Sequence, residues 1–221
     1  MKQSASLEWL KYAVEKGISY EAYVKLMDNL LAQKTTTNGW DSPEILEYTQ
    51  LNQSRMKRLE KQMKLLPYLE NKLQNLNNQY IWLLLAESWC GDVAQNLPMI
   101  ARMAAQSPQI DLKIIMRDEF PKIMDFYLTD GGRSIPKLIC LSHDFRFELG
   151  TWGPRPLPVQ QMLFDFKQEK DGDYKKFAEA AHKWYHIDKN ITLQSEFSVL
   201  LNQWEKSMAD LALSAENTNA N

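Results

Sequence analysis

The sequence predicts an α/β protein: a mixed β-sheet with helices on both faces, an N-terminal helical extension and further helices at the C-terminus. Three observations carry this. "YIWLLLA" at 80–86 is a continuous apolar run of strand length, as in a strand covered on both sides. Strand-like and helix-like patterns then alternate to about residue 170 in the order β-α-β-α-β-β-α. Before that run, some 76 residues place their apolar side chains at helical spacing.

Within the first part, helical periodicity runs through 5–15 and 20–32, followed by a polar loop, "TTTNGW". Ser42-Pro43-Glu44 supplies a cap, a first-turn proline and an early acid, so a long helix is expected from there to about Leu66, with Pro67 breaking it. A short helical piece, "YLENKLQNL", follows. After the strand at 80–86 come a helix over 92–106, a strand over 110–117 ("IDLKIIMR") and a helix over 120–130 stopped by Gly131-Gly132. "PKLICLS" (136–142) and "FRFELG" (145–150) are expected as two strands joined by a tight His143-Asp144 hairpin. A helix over 158–170 precedes two more near 173–186 and 193–212, and the polar end, "SAENTNAN", is expected to be disordered. The organisation is therefore a 1–77 helical extension packing on a 78–170 main domain, C-terminal helices over 171–213 and a 214–221 tail.

With 221 residues, 44% of them hydrophobic, the chain has ample material for one core. A net charge of −2 argues against a surface built to track nucleic acid. The first residues lack the apolar centre of a signal peptide, and no run approaches about 18 apolar residues, so neither export nor a membrane span is expected. Two cysteines make no disulfide framework. The expectation is a protein of the reducing cytoplasm, with no cofactor.

The chemistry concentrates at "ESWCGDV", 87–93. Cys90 falls where a strand ends and a helix begins, close to that helix's unpaired N–H groups, where a thiol can drop from about 8.5 into a range of about 3.5–7.5. Asp92, two residues on, opposes part of that shift, so a moderately reactive thiol is expected. Cys140 lies in an apolar strand and is assigned to the core. His182 and His186 stand at i, i+4 on a helix, but no third ligand accompanies them, and a surface helix without metal is expected.

The element order, "WCGDV" at 89–93 and "GGRSIPKLICL" at 131–141 together resemble the thioredoxin superfamily over about 78–170, and in particular a thioredoxin-like group carrying a Trp-Cys-Gly-Asp motif without the second cysteine. The resemblance implies the thioredoxin fold and a cis peptide before Pro136, with the loop at Ile135-Pro136 facing Cys90. It implies that the backbone of Ile135 pairs with an extended substrate segment. It places Trp89, Gly91, Asp92, Trp152 and Arg155 around the substrate groove, with Arg155 either offering a cation to a thiolate or carboxylate, or standing as a solvated arginine in a proline-braced turn. Trp89 and Arg133 are open to the same two readings.

The departures from the dithiol pattern point one way. Val93 stands where a second cysteine would be, and Leu84 where relatives often bury an acid. Cys140, about 13 Å along the strand from Pro136, is beyond the roughly 7 Å between Cα atoms that a disulfide spans. The resemblance implies thiol–disulfide exchange through Cys90 alone, with a disulfide-containing or thiol protein, or a small thiol such as glutathione, as partner. The alternative is a non-catalytic binding module for a protein partner, with Cys90 incidental.

Overall fold

A computed structural model describes residues 5–169 and 172–219. Its elements are α1 (Leu7–Lys16), α2 (Tyr20–Ala32), α3 (Pro43–Gln62), α4 (Pro67–Gln74), β1 (Tyr80–Ala86), α5 (Gly91–Ala105), β2 (Ile110–Met116), α6 (Pro121–Met124), β3 (Lys137–Ser142), β4 (Glu148–Trp152), α7 (Leu157–Gln168), α8 (Tyr174–Asp188) and α9 (Ile191–Asn219). The sheet order is β2-β1-β3-β4, with β1 parallel to β2 and antiparallel to β3, and β3 antiparallel to β4. A central β1 explains why "YIWLLLA" has no polar face: all seven residues are buried. The pleat sends Tyr80 and Trp82 to one side. There Tyr80 donates a hydrogen bond to Glu205, and Trp82 packs on Phe197 and Trp204 of α9 at ring separations of 5.2 and 6.0 Å. Gly150 is required beneath this packing, since a Cβ there would lie 2.8 Å from the Trp204 indole nitrogen.

Leu10 and Ala13 of α1, Tyr23 and Met27 of α2, Met56 of α3 and Leu69 and Leu73 of α4 belong to the same buried cluster as the sheet residues. A serine caps each of the first three helices, Ser6, Ser19 and Ser42 accepting from Trp9, Ala22 and Ile45 N–H. The second cluster is small and joins α7 to α8 through Val159, Phe177, Ala181 and Tyr185.

Four expectations change. Helix α3 ends at Gln62 instead of reaching Leu66, and Pro67 starts α4, at a first-turn position where its missing N–H costs nothing. The Leu66 N–H is taken instead by the Gln194 side chain at 2.8 Å. The helix expected over 120–130 is a single turn, α6, because Thr129 and Gly132 exchange two 2.9 Å backbone bonds around the left-handed Asp130 and Gly131. Strand β4 begins at Glu148, not 145: Phe145 is left-handed, and Asp144 Oδ1 accepts from Ser142 Oγ and the Arg146 N–H, making a longer loop than the two-residue hairpin. Helix α9 continues to Asn219 through most of the expected disordered tail; residues 220–221, like 170–171, lie outside the described residues. Among the described residues no helix is long and apolar enough to cross a membrane.

Candidate functional site

Cys90 is the N-cap of α5 and makes no side-chain cap bond. Its Sγ donates instead across the site to the Ile135 carbonyl at 3.3 Å, and the Ile135–Pro136 peptide is cis. The cysteine is half-buried at one wall of a cleft of about 550 Å3, lined also by Trp89, Gly91, Asp92, Ile135 and Arg155. Cys140 is fully buried in β3, paired across the sheet with Trp82 and Gly150. Val93 and Leu84 are also buried, so no polar group or second sulfur stands in either place.

The thiol does not ionise as the helix terminus alone would suggest. Burial, and then the Asp92 charge, push Cys90 up to about 12, against the opposing pull of the Val93 and Asp92 N–H groups and of Arg155. The sequence reading weighed the helix N-terminus against Asp92 alone; burial adds a larger opposing effect. The Ile135 carbonyl, expected to face a substrate backbone, is held by the thiol itself.

Asp92 is fixed from two directions. Arg155 Nε lies 2.7 Å from Oδ2, with both side chains more than four-fifths buried, and Tyr185 of α8 donates to Oδ1 at 2.9 Å. Burial raises the Asp92 carboxyl, while Arg155 and Tyr185 lower it. Asn96 bridges the Asp92 carbonyl, at 2.8 Å, and the Tyr185 hydroxyl, at 3.1 Å. Arg155 is therefore bound to a carboxylate and is not a solvated turn residue.

Trp89 is stacked on Trp40 at 5.0 Å, and the Arg117 guanidinium sits over its ring at 4.9 Å. The preceding Glu87 is buried; its Oε1 accepts from the Asp118 N–H at 2.9 Å and its Oε2 from the Thr37 hydroxyl. Ser88 and Thr37 exchange two further bonds, at 3.1 and 3.3 Å, which tie the "TTTNGW" loop onto the cysteine loop. Arg133 stands at the cleft mouth, paired through two bonds with Asp125 at 2.7 and 2.8 Å.

Three placements differ from the expectation. Trp152 does not line the cleft: it is buried against Phe197 at 5.4 Å, its indole N–H donating to Glu196 at 2.7 Å. Pro136 is buried behind Ile135, its carbonyl against Gly153, where no Cβ would fit. His182 is likewise not on a plain surface helix. It lines the cleft, accepting from Arg55 Nη2 at 3.1 Å with Gln95 3.3 Å from its other nitrogen. Burial first, and Arg55 second, lower it to about 4, so it is neutral at ordinary pH. His186 lines a different cavity, and among the described residues no set of three or more His, Cys, Asp or Glu side chains could hold a metal.

Sequence reasoning missed the outer walls of the cleft, Trp40 and Tyr48 on one side and Tyr174, Phe177 and Tyr185 on the other. The one local signal was the Phe177, Ala181, Tyr185 stripe of α8, with His182 beside it. Tyr48 lies so close to residue 91 that an added Cβ there would collide with its hydroxyl unless that side chain moved.

A sequence family described as thioredoxin matches residues 40–176. Among solved structures, a protein of unknown function from Pseudomonas aeruginosa is 20% identical with a TM-score of 0.58, over 88% of this chain and 96% of that one. An HIV epitope scaffold is 20% identical with a TM-score of 0.52, over 86% of this chain and 99% of that one. At such identity these show the fold alone. No curated protein matches. The family match spans well over half of the chain, from the tryptophan stacked on Trp89 through the Cys90 loop and the Ile135-Pro136 turn into α8: the chain belongs to the thioredoxin family.

Proposed function

We propose that this chain is a monothiol exchange protein, in which Cys90 forms a mixed disulfide with a thiol compound or partner cysteine admitted to the cleft. The Cys90 thiolate attacks a disulfide R–S–S–R, the Cys90–S–S–R bond forms, and RS⁻ leaves. An external thiolate then attacks the mixed disulfide and returns Cys90 as thiolate, so no electron is left unaccounted for. The observation that carries this reading is the placing of the one cleft-lining sulfur at the first turn of α5, with Cys140 sealed in the sheet and valine at 93. The size of the cleft suits a small disulfide such as oxidised glutathione, or the tip of a peptide loop. A released external thiol as the second reactant suits a reducing compartment such as the cytoplasm.

Incubation with oxidised glutathione, followed by intact mass and peptide mapping, tests this. One glutathione adduct on Cys90, none on Cys140, and release by dithiothreitol are expected. Absence of any adduct at alkaline pH would overturn it. A second reading, in which the cleft only binds a partner, is favoured by one observation: burial and Asp92 hold Cys90 protonated. It predicts partner binding that is unchanged in Cys90→Ser.

A further inference from the structure

A second cavity of about 540 Å3 lies between the C-terminal end of α3, the 63–66 link and the α8–α9 junction, behind the wall that Tyr185 and Gln95 form. We infer that it is a binding site for a small, multiply charged oxyanion of the phosphate class, because its lining carries Arg58, Lys64, Lys189 and His186 and no acidic residue. Arg58, Lys64 and Lys189 are exposed, and among the described residues none has a carboxylate within ion-pair distance; each of the three arginines lining the Cys90 cleft is paired.

The nearest acids along the chain are turned elsewhere. Glu60 accepts the Tyr20 hydroxyl at 2.6 Å, and Asp188 accepts the Thr192 N–H and hydroxyl at 2.5 to 3.3 Å. Helix α3, the link and the helix junction thus bring three cations to the lining of one cavity. The frame beneath them is set. Gln194, buried, accepts from the Leu66 N–H at 2.8 Å and donates to the Lys64 carbonyl at 3.2 Å, and Asn190, buried, donates to the Gln95 carbonyl at 3.1 Å. Those bonds fix both backbone segments that carry the lysines. Ile191, the first residue of α9, also lines the cavity, while Asp188 caps that helix end through the Thr192 N–H and takes no part in the lining. Ligand chemistry follows: a compact group with two or more negative charges and several acceptor oxygens, free or borne on a larger molecule. This site does not depend on the reading of Cys90.

Isothermal titration of the full chain with inorganic pyrophosphate at constant ionic strength tests it. Saturable binding is expected, weakened about tenfold or more in Lys64→Ala/Lys189→Ala and in Arg58→Gln, and kept in Lys64→Arg/Lys189→Arg, while a remote pair, Lys25→Ala/Lys34→Ala, leaves it unchanged. Circular dichroism confirms that each variant is folded, and Arg58→Gln decides the matter if the double alanine variant is not. No saturable heat with pyrophosphate, or equal weakening by the remote pair, overturns the inference. Sedimentation with phosphatidylglycerol vesicles separates a free anion from a lipid headgroup: headgroup binding must be lost in the same variants and displaced by pyrophosphate.

Discussion

At the scale of single residues, the behaviour of Cys90 follows from a contest between a helix terminus and burial. The N–H groups of Asp92 and Val93 favour a thiolate, but the loss of water and the neighbouring carboxylate outweigh them. Removing that carboxylate with Asp92→Asn leaves Arg155 as an uncompensated cation beside the sulfur, so Cys90 ionises more readily. Iodoacetamide labelling at neutral pH should accelerate about tenfold for each pKa unit recovered. The same change breaks a buried ion pair and should cost about 3–5 kcal/mol in urea unfolding. Unchanged labelling in a folded Asp92→Asn protein would show that Asp92 does not act on the thiol. His182 gives a pH prediction of fixed sign. Its folded value, about 4, lies below the ~6.5 of an unfolded imidazole, so the unfolded chain takes up the proton first. The stability that a neutral His182 contributes is complete above 6.5 and falls as pH drops towards 4. His182→Gln should flatten the urea midpoint against pH across that window relative to the parent; parallel curves would contradict it.

At the scale of elements, what sequence could show depended on whether the cause was local. Strand β1 was legible because a central strand needs an unbroken apolar run, and the Cys90 turn because its residues are contiguous. Helix α6 and the start of β4 were not, because the Thr129–Gly132 pairing and the left-handed Phe145 override helix and strand patterns that look sound in isolation. Trp152 was misplaced for a longer-range reason: Glu196 and Phe197, which draw it into the core, stand 44 and 45 residues away. The turn between β1 and α5 supports a further test. Val93 is buried one turn into α5, so Val93→Cys should fold with a loss of about 1 kcal/mol or less and place a thiol one turn from Cys90. The expected outcome is an intramolecular disulfide, read as the loss of both free thiols at those positions after mild oxidation. A folded variant that keeps both thiols free would show that this helix start lacks dithiol geometry.

At the scale of the molecule, the helices outside 78–170 cover the sheet and wall the cleft. Leu10, Tyr23 and Met27 share the core of β1, and α9 covers Trp82 and Trp152. The cleft draws Trp40 and Tyr48 from one end of the chain and Tyr174, His182 and Tyr185 from the other, which no sequence window could have united. A 78–170 fragment would expose those tryptophans and lose both walls, so it should show no cooperative urea transition, whereas the full chain should; a fragment as stable as the parent would make the flanking helices dispensable. The proposed role of Cys90 is that of a single working thiol, slow to ionise. It is tested most directly by the rate at which oxidised glutathione forms a mixed disulfide with the full chain as pH rises. A rate that keeps climbing beyond pH 9, on Cys90 only and absent in Cys90→Ser, is expected; a rate that levels off below pH 8, or no adduct at any pH, would rule that role out.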